Sequence, residues 1–110
     1  MKKFIFTFVL VLAALSASAQ YRVDRLVTAG RSALFYEDFV LSIKYFNLAI
    51  GAKPYLYEPW YYRSVAKFNL DDYMGAESDA SEAINLNPYI NEIYDLRAIC
   101  RIRQQRYDDA

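Results

Sequence analysis

Apolar residues recur three and four positions apart along most of this chain, the spacing of one helix face rather than the alternation of a strand. Over residues 22–35 the stripe is Val23, Leu26, Val27, Ala29, Ala33 and Leu34. Glu37-Asp38 interrupts it and offers a carboxylate to cap a second helix, whose buried face is expected to hold Phe39, Ile43, Phe46, Ala49 and Ile50. Gly51 and Pro54 are expected to stop that helix, since Gly favours a C-terminal cap and Pro cannot extend the hydrogen-bond ladder. Residues 55–58 read as a connection. A third helix follows over residues 60–70, with Pro59 in its first turn, where the ring is tolerated. Asp71-Asp72 supplies the next turn and an acidic cap, and a fourth helix spans residues 73–86 before Asn87-Pro88 closes it. Asn91 is placed to cap a fifth helix running to about Gln104, and residues 107–110 read as the opening turn of a sixth. Connections this short predict antiparallel helix pairs.

The pattern also repeats at a spacing of 34 residues. Leu26, Trp60 and Tyr94 fall in register, as do Gly30, Ser64 and Ala98; Phe39, Tyr73 and Tyr107; and Ser42, Ala76 and Ala110. Ala49 recurs as Ala83, Ile50 as Ile84 and Pro54 as Pro88. Bulky, small, aromatic, small and Pro positions at that period describe an all-α, helix–turn–helix solenoid. The small residues at mid-helix let paired backbones approach, while Trp60, Phe39 and Tyr73 fill the space beside them. The expected units are residues 23–56, 57–90 and a partial third over 91–110, about two and a half repeats. A solenoid needs about three complete repeats and a polar cap. The chain is therefore expected to be the N-terminal part of a longer array, with apolar surface left open on its last helix.

The first nineteen residues stand apart. Lys2 and Lys3 precede an apolar run over residues 4–15, and Ala17-Ser18-Ala19 gives the small-x-small pattern of a signal-peptidase site. Cleavage after Ala19 is expected, leaving Gln20 first and no membrane span behind; a retained N-terminal anchor is the alternative. The expected compartment is the periplasm, with outer-membrane association or secretion as the other exported destinations. The whole chain is neutral, with 13 basic and 13 acidic residues, and loss of Lys2 and Lys3 leaves a net charge of −2. No basic run remains to mark a nucleic-acid or polybasic membrane surface. The one cysteine, Cys100, cannot form an internal disulfide, so packing must hold the fold.

The segments 60–64, 72–76 and 83–88 (Trp-Tyr-Tyr-Arg-Ser, Asp-Tyr-Met-Gly-Ala and Ala-Ile-Asn-Leu-Asn-Pro) resemble a tetratricopeptide repeat almost position for position. Pro54 ends the preceding copy and Tyr94 opens the following one, so the resemblance covers nearly all of residues 23–110. With the signal-type leader, the chain is similar to exported repeat proteins of diderm bacteria. The resemblance implies a right-handed spiral and an interaction scaffold for a protein or peptide partner. It departs where Ala33, Lys67 and Arg101 hold a usually aromatic site, where Ala29, Arg63 and Arg97 hold a leucine site, and where Ala80 replaces a larger residue. Asp79 on the intervening helix could pair with Arg63, Arg97 or both, either as a buried bidentate pair or as a solvated surface pair.

Chemistry is sparse. There is no His to act as general base or metal ligand. Cys100 has no His partner for thiolate catalysis and reads as a small apolar residue. Asp71-Asp72 and Asp108-Asp109 are explained by capping, and the three glycines form no phosphate loop. Neither an enzyme nor a bound cofactor or metal is expected. The resemblance instead places a groove along the first helix of each pair, with Arg31, Tyr61, Val65, Phe68, Asn69, Ile99 and Arg103 as its main candidates and Asp24, Val27, Leu34, Glu58, Glu92 and Asp95 beside them. Val65 and Phe68 have packing against the neighbouring repeat as their other reading. The Lys/Asn/Arg clamp by which some family members hold a terminal carboxylate does not map, because Val27, Tyr61, Tyr62 and Leu96 occupy its positions. Apolar anchors from an extended or helical partner segment fit such a groove better. Two further readings are a structural or assembly component of the bacterial cell envelope and the recognition domain of a longer enzyme.

Overall fold

The computed structural model describes the backbone of residues 2–108 and the side chains of residues 2–106. Five helices follow one another: α1 (Lys2–Phe35), α2 (Phe39–Ala52), α3 (Tyr57–Asn69), α4 (Tyr73–Leu86) and α5 (Asn91–Asp108), with no strand among the described residues. Each helix packs on the next, and α1 also meets α3, as α3 meets α5. No such contact joins α2 to α4. Odd-numbered helices that touch beside even-numbered ones that do not make a stack curved toward the odd side, which is therefore the inner face.

The turn inside each pair is built twice in the same way. Glu37 and Asp71, 34 residues apart, adopt left-handed backbone with φ of 61° and 63°. In the first turn, Glu37 N–H donates to the Leu34 carbonyl at 3.0 Å and Asp38 N–H to that of Ala33 at 2.8 Å; in the second, Asp71 donates to Phe68 at 3.0 Å and Asp72 to Lys67 at 2.9 Å. These are the two hydrogen bonds of a Schellman motif, which satisfies carbonyls left over at a helix end. The residue that closes one helix then opens the next. Asp38 accepts from Leu41 N–H at 3.2 Å and Asp72 from Gly75 N–H at 3.0 Å, as N-caps of α2 and α4.

The joints between pairs repeat as well. Trp60 Nε1 donates to the Pro54 carbonyl at 2.9 Å, and Tyr94 donates its hydroxyl to the Pro88 carbonyl at 3.0 Å. The register positions Trp60/Tyr94 and Pro54/Pro88 are thus one hydrogen bond, made once per unit. Small residues do the close packing. Ser64 Oγ donates to the Ala76 carbonyl at 2.6 Å, bringing α3 onto α4. At Gly30 a Cβ would stand 2.5 Å from the ring of Phe46, which is fully buried and stacked on Tyr62 at 5.8 Å. Burial of that phenyl group contributes roughly 1.5–3 kcal/mol. Ala80, Ala83 and Ile84 of α4 and Ile93 of α5 form a core shared by the second unit and the helix after it, with Tyr57, Trp60, Tyr61 and Ile90 closing over them.

Several expectations are corrected. Gly51 is not a helix stop: it lies inside α2 with ordinary negative φ, and Lys53 N–H closes the helix on the Ala49 carbonyl at 2.9 Å. Within α2, Ser42, Phe46 and Ala49 are buried, while Phe39, Ile43 and Ile50 are half-buried. Helix α3 begins at Tyr57, and α5 includes Asn91 rather than being capped by it. Helix α5 also runs without a turn through Tyr107 to Asp108, because Gln105 and Arg106 stand where Asp71 and Asp72 make the turn, and an arginine cannot accept the capping bond. Tyr107 therefore shares a helix with Tyr94; its side chain, Asp109 and Ala110 lie outside the described residues. Ala98 is exposed, unlike Gly30 and Ser64, since no helix among the described residues packs on it. Finally, α1 is one 34-residue helix in which residues 2–22 are all exposed and Val23 is the first residue to enter the core. By length and composition it is long and apolar enough to cross a membrane.

Candidate partner-binding groove

The inner face is assembled from α1, α3 and α5. Two aromatic stations divide it. At the first, Tyr61 and Tyr62 meet at 5.3 Å, and the Arg31 guanidinium from α1 lies 5.1 Å over the Tyr62 ring. At the second, Phe68 meets Tyr73 edge-on at 5.3 Å, and Arg103 from α5 lies 5.9 Å from both rings. Both arginines are thereby held on ring faces, an attraction of about 0.5–1 kcal/mol at exposed sites. Phe68 is half-buried by these contacts, so its packing role is plain; Tyr73 and Tyr62, the rings beneath the arginines, were not among the candidates. The aromatic density of residues 55–62 was the signal for Tyr62. Val65 is half-buried and Ile99 is 42 % exposed. Asn69 is exposed and spends its amide on the Val65 carbonyl of its own helix at 2.8 Å.

Beside the first station lies an open hollow of about 400 Å³, walled by Val27, Arg31, Tyr57 and Glu58 among others, with Asp24 at its rim. Burial pushes the Tyr57 hydroxyl above its ordinary pKa, and Glu58, Tyr62 and Glu92 add to the shift. Tyr61 is raised likewise, by burial first and then by Glu92 and Tyr62. Both hydroxyls stay protonated near neutrality and are available as donors.

The departures from the repeat pattern come together away from the groove, between α2, α3 and α4. Arg63 grips Asp79 with two hydrogen bonds of 2.8 Å, from Nε to Oδ2 and from Nη2 to Oδ1, and its third nitrogen donates to Asn47 Oδ1 at 2.8 Å. Lys67 adds a second cation 3.0 Å from Asp79 Oδ2. The guanidinium also lies 4.8 Å over the Trp60 ring. Of the two arrangements left open, the buried bidentate pair forms, and with Arg63 rather than Arg97. Arg97 instead stacks on Tyr94 at 5.4 Å, while Arg101 pairs with Glu77 at 3.3 Å.

No family model matches the chain. Over 85 residues it is 31% identical to "Protein SGT1 homolog" of Oryza sativa subsp. japonica, an alignment covering 77% of this chain and 23% of the relative, so it spans less than a quarter of that protein's length. Among solved structures it is similar to the first TPR of Spaghetti (RPAP3) bound to the HSP90 peptide SRMEEVD, with a TM-score of 0.73 and 24% identity, over 81% of this chain and 72% of that one. Together with the 34-residue recurrence of turns, joints and small-residue contacts, this superposition gives the chain the tetratricopeptide-repeat fold.

Proposed function

We propose that this chain is an exported interaction scaffold that holds a segment of a partner protein along the inner face of its repeats. The observation carrying this reading is the groove itself: Tyr61, Val65 and Ile99 offer apolar surface on the concave side, between arginines already fixed on aromatic rings. Large rings with few rotatable bonds are the usual anchors of such contacts. The similar solved domain carries a peptide ligand, which supports the same use here. Export rests on Lys2, Lys3, the apolar run 4–15 and the Ala-Ser-Ala site, and the repeats take no core residue from before Val23.

Photo-crosslinking residues placed in living cells at 65 and 99, against outer-face controls at Lys44 and Ser78, test the groove. One partner is expected at both inner positions and neither control; equal labelling of the two faces would remove the proposal. N-terminal sequencing of the mature protein tests export, with Gln20 expected first.

A further inference from the structure

The charges along the groove are unequally engaged. Its cations are occupied, with Arg31 on Tyr62 and Arg103 on Phe68 and Tyr73. Lys53, on the first joint, donates to the Gln20 carboxamide. Of its carboxylates, Glu58 and Glu92 are not. Asp24, Glu58 and Glu92 stand 34 residues apart, one per unit, and all three are exposed. Asp24 accepts one bond, from Gln20 Nε2 at 2.8 Å. Among the described residues Glu58 and Glu92 have neither hydrogen bond nor ion pair. Glu58 and Glu92 lie in the first turns of α3 and α5, where the helix dipole favours a negative charge. That stabilisation explains their tolerance at these positions and leaves the carboxylate oxygens free for a ligand.

Their surroundings are those of a recognition pocket. Asp24 and Glu58 border the hollow of about 400 Å³ together with Tyr57, Val27 and Val23. Glu92 is close enough to Tyr57 and Tyr61 to hinder ionisation of both. Acid side chains thus flank tyrosine rings beside an apolar wall. Standing one per unit, the three carboxylates are spread along the groove, a spacing that suits cations carried on a chain.

Resting on the groove reading, we infer that the partner segment is basic: it presents Lys or Arg side chains to Asp24, Glu58 and Glu92, with apolar residues on Tyr61 and Val65. An aliphatic stem can lie on the Tyr57 ring while its charge reaches Glu58 and Glu92. A segment such as SRMEEVD, with three acidic side chains, would meet these carboxylates as like charges.

Selection from a random heptapeptide library displayed on phage, with the full-length chain immobilised, tests this. The expected outcome is enrichment of Lys- and Arg-containing heptapeptides with an apolar neighbour. Their binding should weaken roughly two- to thirtyfold in the Glu58→Gln/Glu92→Gln variant, the sum of two exposed ion pairs, and fall with added salt. Enrichment of neutral or acidic heptapeptides, still lost in a Tyr61→Ala/Ile99→Ala variant, would overturn the charge preference and leave the groove in place. Selection of basic heptapeptides that the double glutamine variant binds unchanged would overturn it equally. Enrichment no greater than that on the Tyr61→Ala/Ile99→Ala variant would overturn the groove and the charge preference together.

Discussion

Replacing Asp79 with Ala removes the single anion that two cations share. The Asp79 side chain is 4% exposed, against 16% for Arg63 and 23% for Lys67. Without it, Arg63 retains Asn47 and the Trp60 ring, and Lys67 loses its only ion pair among the described residues. Breaking a buried pair from one side costs about 3–5 kcal/mol, because the remaining charge is left uncompensated. Solvent still reaches both cations, so the lower end applies, about 3 kcal/mol. In a domain of this size 1 kcal/mol moves Tm by about 4–8 °C, so the expected drop is on the order of 12–24 °C. Thermal and urea unfolding followed by far-UV circular dichroism would read it. The companion variant removes all three charges: Asp79→Leu with Arg63→Leu and Lys67→Tyr, the latter two restoring residue types usual at these sites of the repeat. It should recover to within about 1 kcal/mol of the parent, since apolar replacement of a buried ion cluster is often neutral or stabilising. An Asp79→Ala protein unfolding within about 1 kcal/mol of the parent would refute the reasoning and reduce the cluster to a solvated pair.

Gly30→Ala should cost roughly 1–3 kcal/mol by overpacking against Phe46, and Phe46→Leu in the same chain should return part of it in urea melts. Glu37→Gly should stabilise by about 0.5 kcal/mol: the left-handed backbone costs a side chain about 1 kcal/mol, and glycine's freer unfolded state takes back part of that gain. The urea midpoint should rise with an unchanged slope, and Asp71→Gly should gain less because Tyr73 donates its hydroxyl to Asp71 Oδ1 at 2.9 Å. Cys100 is buried, and burial, followed by nearby Glu77, raises its thiol pKa. Maleimide should therefore label it slowly in the native chain at neutral pH and rapidly in urea; native labelling at the rate of a free thiol would contradict the packing of α5.

What the sequence disclosed and what it hid follow from the range of each interaction. The turns were legible because their determinants are local: an acidic residue at 38 or 72 caps the helix that begins beside it by accepting from an N–H three residues on. The Arg63–Asp79 pair was legible as one of two readings for a different reason, since a cation at a site normally held by leucine in the repeat calls for an anion on the facing helix. The length of α5 was misread by extending the register past the point where its cap had been lost, at Arg106. Exposure of Ala98 agrees with the apolar surface expected to lie open on the last helix; its residue type alone, shared with buried Gly30 and Ser64 as a small residue, does not report the outer neighbour on which burial depends. In the groove, spacing brought Arg31 and Arg103 to the inner face but did not disclose that each would rest on a ring, because those rings come from Tyr62, Phe68 and Tyr73 on other helices.

The shared aspartate at each tight turn also has a mechanical consequence. Where one residue completes a Schellman closure with its backbone N–H and caps the next helix with its carboxylate, the two helices cannot be tilted apart without breaking three hydrogen bonds at once. Each pair accordingly behaves as a stiff plate. The joints at residues 53–56 and 87–90 have no such shared residue: each adds one aromatic donor on a proline carbonyl to side-chain bonds between the flanking helices, Arg63 on Asn47 at the first and Arg101 and Gln104 on Glu77 at the second. Any change in the width of the inner face would thus be taken up at the joints, by side-chain contacts that can re-form, while the backbone closure of each turn keeps a pair in shape.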